Sequence, residues 1–175
     1  NGEVVRTEAN KTFESDKDAV ALADGADKAY VNNCIVQLSA PAKLLRGNMY
    51  VAVEDMAKLL PGASIEKDGE MSAEISCGGH TLQLAAGNRV VVLDEYLRDI
   101  SMSVMEDGRL YVPAGDIAGL LLGYKTTAGH GVCYLSENAG LMSYDFAYII
   151  RQLLGTEGMT EPKEWVAEEK KISGR

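Results

Sequence analysis

One stretch of this sequence occurs twice. Residues 47–62 and 108–123 superimpose when the first stretch is moved forward by 61 positions, and eight of the sixteen positions are then identical. The identical residues are the two end glycines, a Tyr-Val pair, an Asp, an Ala and two leucines. An internal repeat constrains the architecture before any other feature. Because the shared residues are mostly apolar or glycine, the repeat predicts two related folding units and says little about chemistry.

Each copy predicts the same series of elements. A turn glycine precedes a short apolar strand, and a helix follows with its large apolar residues at positions i, i+3 and i+4. These residues are Met56, Leu59 and Leu60 in the first copy, and Ile117, Leu120 and Leu121 in the second. Alternating apolar and polar residues then predict two further strands. The unit is strand, helix, strand, strand, and the two units predict an α+β fold in which a mainly antiparallel sheet packs on short helices.

Three further patterns complete the predicted fold. Residues 89–93 are so apolar that we expect a strand covered on both faces, at the centre of the sheet. Residues 15–23 resemble a capping box followed by a short helix that ends at Gly25. Ser143 is the expected N-cap of a third helix, which carries apolar residues at helical spacing and ends at Gly155.

These patterns divide the chain into three parts. The parts are an N-terminal leader or linker region (1–30), a duplicated domain (31–140) and a C-terminal helical extension (141–175). In the last part Trp165 is the one apolar anchor beyond the third helix, and we expect poor order past residue 170.

The composition limits the partners. The 175 residues carry a formal net charge of −9 with a sequence pI near 4.7, so their field repels phosphate backbones and anionic lipid surfaces. No apolar run reaches the roughly 18–20 residues that span a bilayer. We therefore expect no nucleic-acid partner and no transmembrane segment. The three cysteines, Cys34, Cys77 and Cys133, are too few and too scattered for a disulfide framework.

The motif within the repeat resembles that of a known family. Gly108-Arg109-Leu110-Tyr111-Val112-Pro113, followed by Ile117-Ala118 and Leu121-Leu122-Gly123, is similar to the recurring phrase of the copper amine oxidase N-terminal-like domain. The resemblance runs from about Cys34 to Glu137. It implies an α+β module found mainly in exported proteins of Gram-positive bacteria, often beside cell-wall hydrolases or other surface modules.

The same resemblance implies a location and an absence of chemistry. In the oxidases that lend the family its name, the metal and the quinone belong to a separate catalytic domain, so the resemblance implies neither copper nor catalytic residues. We expect an extracellular or cell-envelope location and no cofactor. The chain begins at Asn1 without a Met, so we interpret it as a processed form from which a leader has been removed, or as a trimmed chain.

Two cysteines and two histidines form the one set of residues with a chemical interpretation. They are Cys77 and His80 around Gly78-Gly79, and His130 and Cys133 in the second copy. Two Cys and two His can form a tetrahedral zinc site. If Gly78-Gly79 is a hairpin turn, Cys77 lies opposite His80 on the same face. His130 joins Cys133 only if it lies in a turn, because residues three apart on a strand point to opposite faces.

Two other interpretations of these four residues stay open. The cysteines can be small core residues while the histidines lie in surface turns. A Cys/His pair can also act as a nucleophile and its base, although no third orienting group is evident.

The repeat also contains two pairs of equivalent polar residues. Asp55 and Asp116 lie in the first turn of each helix, where a carboxylate favours the helix dipole, and the alternative is a paired-carboxylate site across the repeat. Tyr50 and Tyr111 hold equivalent strand positions, and we expect them to anchor the sheet rather than to stack on sugars.

These observations favour a non-catalytic, extracytoplasmic binding or spacer module. Its partner would be a protein or a cell-wall polymer, which the sequence does not identify. The first alternative is a zinc- or copper-binding protein that uses Cys77, His80, His130 and Cys133. The second is a structural oligomerisation domain, in which the third helix and exposed sheet edges contact a second chain.

Overall fold

The computed structural model describes residues 17–138 and 140–156 of the chain. Over these residues the chain forms fourteen strands, three α-helices and one 3₁₀ turn, which confirms the predicted α+β class. The strands build three antiparallel sheets, whereas the sequence predicted one mainly antiparallel sheet. Trp165 and the segment past residue 170 lie outside the described residues, and so does most of the predicted N-terminal leader.

The strands are numbered in chain order. Within each of the three sheets they are given in the order in which they lie side by side. Sheet I consists of β13 (Lys125–Gly129), β14 (Val132–Ser136), β1 (Val20–Ala23), β2 (Lys28–Val31) and β3 (Cys34–Gln37). Sheet II consists of β10 (Tyr96–Asp99), β9 (Val90–Leu93), β8 (His80–Ala85), β7 (Ser72–Cys77) and β6 (Ser64–Lys67). Sheet III consists of β11 (Val104–Glu106), β12 (Arg109–Pro113), β5 (Asn48–Ala52) and β4 (Lys43–Leu45).

The first two helices each follow a strand of sheet III, and the third follows the last strand of sheet I in the chain. A 3₁₀ turn (Val53–Asp55) leads from β5 into α1 (Met56–Leu59), and β12 leads into α2 (Ala114–Leu122). The third helix, α3 (Tyr144–Leu153), follows β14. Its predicted cap is confirmed, because the Ser143 hydroxyl accepts the backbone N–H of Phe146 at 3.1 Å. Gly123 ends α2 in the left-handed conformation that glycine adopts most readily.

Strand β1 replaces the helix predicted for residues 15–23. All four of its residues are buried, and it lies between β14 and β2 in the middle of sheet I. Val20 and Leu22 face the main core, while Ala21 and Ala23 face α3. An alanine-rich segment has good helix propensity, but burial on both faces overrides this local preference. The three-part division of the chain stays a prediction, although the described end of the leader region belongs to sheet I.

Strand β9 is not the central strand that residues 89–93 were expected to form. β8 holds the middle of sheet II, and β9 lies next to the edge strand β10. Val91 is buried against the core, whereas Val90 is 46% exposed. An apolar run therefore does not by itself show that both faces of a strand are covered, because alternate residues of β9 point to different sides of the sheet.

Sheet III joins the two copies of the repeat. β5 and β12 pair in the antiparallel direction with Val51 opposite Val112. These two valines are also superimposed by the 61-residue shift. β12 runs directly into α2 and β5 reaches α1 through the 3₁₀ turn, so the pairing sets the positions of α1 and α2 relative to each other.

Two buried tyrosines fasten the loops before these strands. The Tyr50 hydroxyl donates to the backbone carbonyl of Met102 at 2.7 Å, and the Tyr111 hydroxyl donates to that of Pro41 at 2.8 Å. Tyr50 of the β4–β5 hairpin therefore binds the loop before β11, and Tyr111 of the β11–β12 hairpin binds the loop before β4. Burial raises the pKa of both hydroxyls. The prediction that these tyrosines anchor the sheet is confirmed.

One large core is shared by the three sheets and the first two helices. Met56, Leu59 and Leu60 enter it from the first helix, as the spacing predicts, and Ile117 and Leu121 enter it from α2. The strands contribute buried residues from all three sheets, among them Val20, Leu22, Val51, Ile75, Leu82, Leu110, Val112 and Leu135. The core therefore holds the sheets together by apolar burial, the dominant favourable term in folding.

A second, smaller core lies on the outer face of sheet I, where α3 packs. A row of paired residues crosses this face in the order Thr127, Tyr134, Ala21, Tyr30 and Ile35. Tyr134, Ala21 and Tyr30 are buried there with Ala147, Ile150 and Leu154 from the helix and its end, and Ile35 packs against them. The expected apolar face of the third helix thus covers one side of sheet I.

Replacement of Gly115 by alanine should destabilise the fold. A Cβ atom at Gly115, in α2, would lie 2.6 Å from Oγ1 of Thr126, a short β-branched side chain with little freedom to move. We expect Gly115→Ala to lower the free energy of unfolding by about 1–3 kcal/mol, measured by urea denaturation.

Two matched variants test the cause. Gly119→Ala lies in the same helix, where the nearest atom to the new Cβ is 3.4 Å away, so it should be neutral or stabilise by up to about 1 kcal/mol. Thr126→Ala removes the close contact, so Gly115→Ala should cost little in that background. Equal losses in both backgrounds would contradict the steric explanation.

Candidate functional site

Cys77 and His80 lie opposite each other, as the Gly78-Gly79 hairpin predicts. Their side chains nevertheless have different environments. The Cys77 thiol is buried and lies 3.4 Å from the Pro61 carbonyl oxygen. The His80 ring is exposed, and its Nδ1 atom bonds to the Asp94 carboxylate. That hydrogen bond, with a second from the Thr81 N–H, holds the pKa of Asp94 below its usual range.

His130 and Cys133 lie in and after the turn between β13 and β14. His130 has a φ of 52° and is the first residue of the turn. It therefore lies in a turn, as the zinc hypothesis required. Its ring meets that of Tyr144 edge to face, with 5.8 Å between centroids. Cys133 is buried in the main core, and burial raises the pKa of its thiol to about 12.

The four candidate metal ligands therefore lie in separate surroundings. Across residues 17–138 and 140–156, no three His, Cys, Asp or Glu side chains are placed so that they could share a metal ion. Burial also raises the pKa of the Cys77 thiol, so both buried cysteines hold their protons at neutral pH. A thiol is a nucleophile or a metal ligand only as its thiolate.

Asp55 and Asp116 each bind the backbone of a loop. Both oxygens of Asp55 accept the Ser39 N–H, at 2.9 and 3.0 Å. Oδ2 of Asp116 accepts the Ser101 N–H at 2.8 Å. Asp55 is fully buried and also lies 3.4 Å from the Lys58 ammonium group. The carboxylates thus fix the loops that precede β4 and β11, in addition to lying in the first turn of a helix.

Two clefts open beside the turn between β4 and β5. Leu44 and Asn48 line both of them. The first cleft has a volume of about 390 Å³ and reaches the β13–β14 turn. Its remaining walls are Gly47, Met49, Pro113, Gly115, Asp116, Thr126, Ala128, Gly129, His130, Gly131, Val132 and Cys133. Apart from Asp116 and His130, this lining has no ionisable group at its surface, because Cys133 is buried.

The second cleft, which we call the arginine cleft, has a volume of about 370 Å³. It is lined by Leu44, Leu45, Arg46, Asn48, Tyr50, Arg89, Ser101, Met102, Val104 and Glu106. Its two arginines outnumber its one carboxylate, although the whole chain has a net charge of −9. The lining of the cleft therefore has a small excess of positive side chains on an otherwise acidic protein.

The local backbone determines where these arginines lie. Arg46 and Gly47 form the two-residue turn between β4 and β5, and both have positive φ, at 51° and 84°. A two-residue turn of this kind matches the twist of its strands, and it places Arg46 at the tip of the hairpin. Arg89 comes just before β9, where its guanidinium lies 3.6 Å from the Asp99 carboxylate.

The acidic member of the cleft is already engaged. Glu106 lies 3.4 Å from the ammonium group of Lys43, which also binds Asp107 at 2.6 Å. The hydrogen bond that Lys43 donates to the Asp107 carboxylate holds the pKa of Lys43 above its ordinary value. Arg46 makes no ion pair within the part of the chain that the structure describes. The guanidinium of Arg46 is therefore free to bind an anion, and that of Arg89 has one exposed partner.

The polar groups between the arginines are fixed by hydrogen bonds. The Asn48 side-chain amide donates to the Ser101 hydroxyl at 3.1 Å, and Tyr50 is held by the Met102 carbonyl. These contacts join the β4–β5 hairpin to the loop before β11. The floor of the cleft is thus preorganised, whereas its arginines lie at the rim.

Comparison with protein-family models, curated proteins and solved structures gives no match for this chain. Within the described residues, no helix combines the length and the apolar character that crossing a bilayer requires. The sequence reasoning missed Arg46 and Arg89, which lie far apart in the chain. The one local signal was the Arg46-Gly47 dipeptide, which indicates a turn but not what the turn faces.

Thiol labelling should distinguish the three cysteines. Cys34 is exposed, while Cys77 and Cys133 are buried with raised pKa values. We expect a disulfide reagent to label one thiol per folded chain at neutral pH, and all three after unfolding in guanidinium chloride. Cys34→Ser should abolish labelling of the folded protein. Rapid native labelling in that variant would show that a second thiol is accessible.

Proposed function

We propose that this chain is a non-catalytic, extracytoplasmic binding or spacer module that holds an anionic group of a protein or a cell-wall polymer in the arginine cleft. The observation that carries the proposal is that Arg46 and Arg89 line the same cleft of an acidic protein. Guanidinium groups bind carboxylates and phosphates through two parallel hydrogen bonds. The class of ligand is therefore one that displays carboxylate or phosphate groups.

The charge distribution supports a restricted choice of ligand. A net charge of −9 repels polyanions over the rest of the surface. A ligand that places one or a few anionic groups in the arginine cleft is attracted by the two arginines. A long, uniformly charged nucleic acid would also contact the acidic surface outside the cleft and be repelled there. This favours the carboxylates of an acidic peptide, or the spaced anionic groups of a wall polymer.

The non-catalytic part of the proposal is supported by how the reactive side chains are engaged. The buried thiols have raised pKa values, and Asp55 and Asp116 bind loop N–H groups. His80 is bound to Asp94 on the surface of sheet II. Cys77, His80, Asp55 and Asp116 thus each have a structural partner, and Cys133 is packed in the main core.

The duplication and the family resemblance also belong to the proposal. The pairing of Val51 with Val112 and the crossed tyrosine hydrogen bonds support an origin of sheet III from two copies of one unit. The resemblance to the copper amine oxidase N-terminal-like domain supports an exported protein. We propose the cell surface as its location on that resemblance alone.

Removal of the two arginines should weaken anion binding. We expect Arg46→Gln and Arg89→Gln each to raise the dissociation constant for a short peptide with two glutamates or a short glycerol phosphate oligomer roughly tenfold, because each removes a charge-assisted hydrogen bond. Calorimetric titration at low salt measures the constant, and added salt should weaken binding to the wild type more than to the variants.

A lysine on another sheet supplies the control. Lys28 is exposed on β2 and lines neither cleft, so Lys28→Gln removes the same net charge away from the site. Binding that falls equally in Lys28→Gln would show a general charge effect. An absence of binding to either probe by the wild-type protein would refute the anionic ligand class.

A further inference from the structure

We propose that strand β10 is an interaction surface for a second copy of this chain, which adds its own β10 in the antiparallel direction and joins two copies of sheet II. The proposal is independent of the arginine cleft. It rests on the exposed edge of sheet II, on the apolar residues beside it, and on the register that a two-fold pairing of β10 requires.

The edge strand carries exposed apolar residues. All four residues of β10 are exposed, and Tyr96 and Leu97 are 67% and 69% exposed. On the neighbouring strand, Val90 is 46% exposed. Proteins usually guard such an edge. Both edge strands carry two exposed charged residues, but β10 also exposes Tyr96 and Leu97, whereas the one large apolar residue of the opposite edge strand β6, Ile65, is partly buried.

The backbone of β10 is suited to accept another strand at Leu97. Tyr96 lies opposite Leu93, and the Ile100 N–H donates to the Arg89 carbonyl at 2.9 Å. Hydrogen-bonded pairs alternate along an antiparallel ladder, so Tyr96, Arg98 and Ile100 direct their backbone groups toward β9. Leu97 and Asp99 direct theirs away from the sheet. The Leu97 carbonyl already accepts a hydrogen bond from the Arg98 side chain on that side.

The outer face of sheet II differs from that of sheet I in what covers it. A row of paired residues crosses sheet II in the order Glu66, Glu74, Gln83, Val92 and Leu97. The matching row of sheet I is apolar over most of its length and is covered by α3. The row on sheet II is polar at the β6 end and apolar at the β10 end. The polar end can stay in contact with water, whereas the apolar end would gain from contact with a partner.

A second copy places these apolar ends together. If β10 pairs with its own copy around the two-fold axis, the free backbone groups require Leu97 to lie opposite Leu97 or opposite Asp99. In the first register, Val92, Leu97 and their copies form one continuous apolar strip, with polar residues on both sides. A helix or a flat apolar partner would instead have to cover Glu74 and Gln83 as well.

The charges on the strand are compatible with this register. Arg98 lies opposite Tyr96 of the second copy, and its guanidinium already lies 6.0 Å from its own Tyr96 ring. Cation–π contacts of this kind are favourable. Glu95 and Asp99 of the two copies also lie opposite each other, and this repulsion limits the affinity. We therefore expect a dimer that dissociates on dilution.

Sedimentation velocity over a range of protein concentrations tests the proposal. The wild-type chain should pass from monomer to dimer as concentration rises. Leu97→Lys should raise the dissociation constant roughly tenfold or more, because it puts like charges opposite each other at the centre of the interface. Leu97→Pro should act similarly, because it removes an N–H that faces away from β9 and spares the ladder within the chain.

Two controls separate this interface from other effects. Met71→Lys changes another exposed apolar residue, 58% exposed and outside β10, and should leave the dimer unchanged. Arg46→Gln alters the arginine cleft and should leave it unchanged as well, so failure of the anion-binding proposal would not affect this test. Circular dichroism melts confirm that each variant is folded, and Leu97→Lys decides the outcome if Leu97→Pro does not fold.

A disulfide cross-link tests the register. In a Cys34→Ser background, Leu97→Cys should form an intermolecular disulfide on mild oxidation, because opposed Cα atoms in a hydrogen-bonded pair lie about 5.5 Å apart. Asp99→Cys should cross-link much more slowly. If Leu97→Cys does not cross-link with itself, but a mixture of Leu97→Cys and Asp99→Cys chains does, Leu97 lies opposite Asp99 and the proposed register is overturned.

Three results would overturn the interface itself. The first is a monomer at every concentration. The second is a dimer that Leu97→Lys and Met71→Lys weaken equally. The third is protection of the Leu97 amide from hydrogen exchange at all protein concentrations, which would show that the chain's own residues, outside the described ranges, cover the edge.

Discussion

The antiparallel pairing of β5 with β12 is the interaction on which the rest of this fold depends. Both strands lie in the middle of sheet III, and each leads into a helix that fills the main core. The hydroxyls of Tyr50 and Tyr111 then fasten each loop to the opposite strand. A buried hydroxyl that lost its acceptor would cost about 1–3 kcal/mol, so the crossed bonds favour one register. The arginine cleft inherits this rigidity, because Tyr50 and the Met102 loop that it binds both line the cleft.

Sheets I and II show that topology alone does not decide which faces are covered. The two sheets have the same number of strands, and within the described residues each ends in an edge strand that belongs to a two-residue hairpin. On sheet I the outer row contains Tyr134, Ala21 and Tyr30, so burying it under α3 removes apolar area from water. On sheet II the corresponding positions are Glu74, Gln83 and Val92. Covering the two polar side chains would cost free energy unless they found new partners.

Structural features that depend on neighbouring residues in the chain were predicted correctly from the sequence. Features that depend on which distant strands pair with each other were missed. The Gly78-Gly79 turn, the Ser143 cap and the inward residues of the first helix follow from neighbours in the chain, and the structure agrees with them. Strand β1 was missed because its alanines also favour a helix. One sheet was predicted instead of three because alternation shows that a strand has two faces without showing which strand it pairs with. Arg46 and Arg89 were missed for the same reason, since only the pairing of distant strands brings them to one cleft.

The arginine cleft and the edge of sheet II are connected through Arg89. This residue lines the cleft, and its guanidinium lies 3.6 Å from Asp99 on β10. A second copy paired along β10 would therefore hold two clefts on one continuous sheet. For a ligand with repeated anionic groups, binding in the second cleft becomes intramolecular, and overall affinity can exceed that of one cleft by roughly 10²–10⁴ when the spacing allows it. A short peptide with a single acidic group would gain nothing. Weak single-site affinity, as two rim arginines on an acidic protein imply, is thus compatible with firm retention on a repeating polymer.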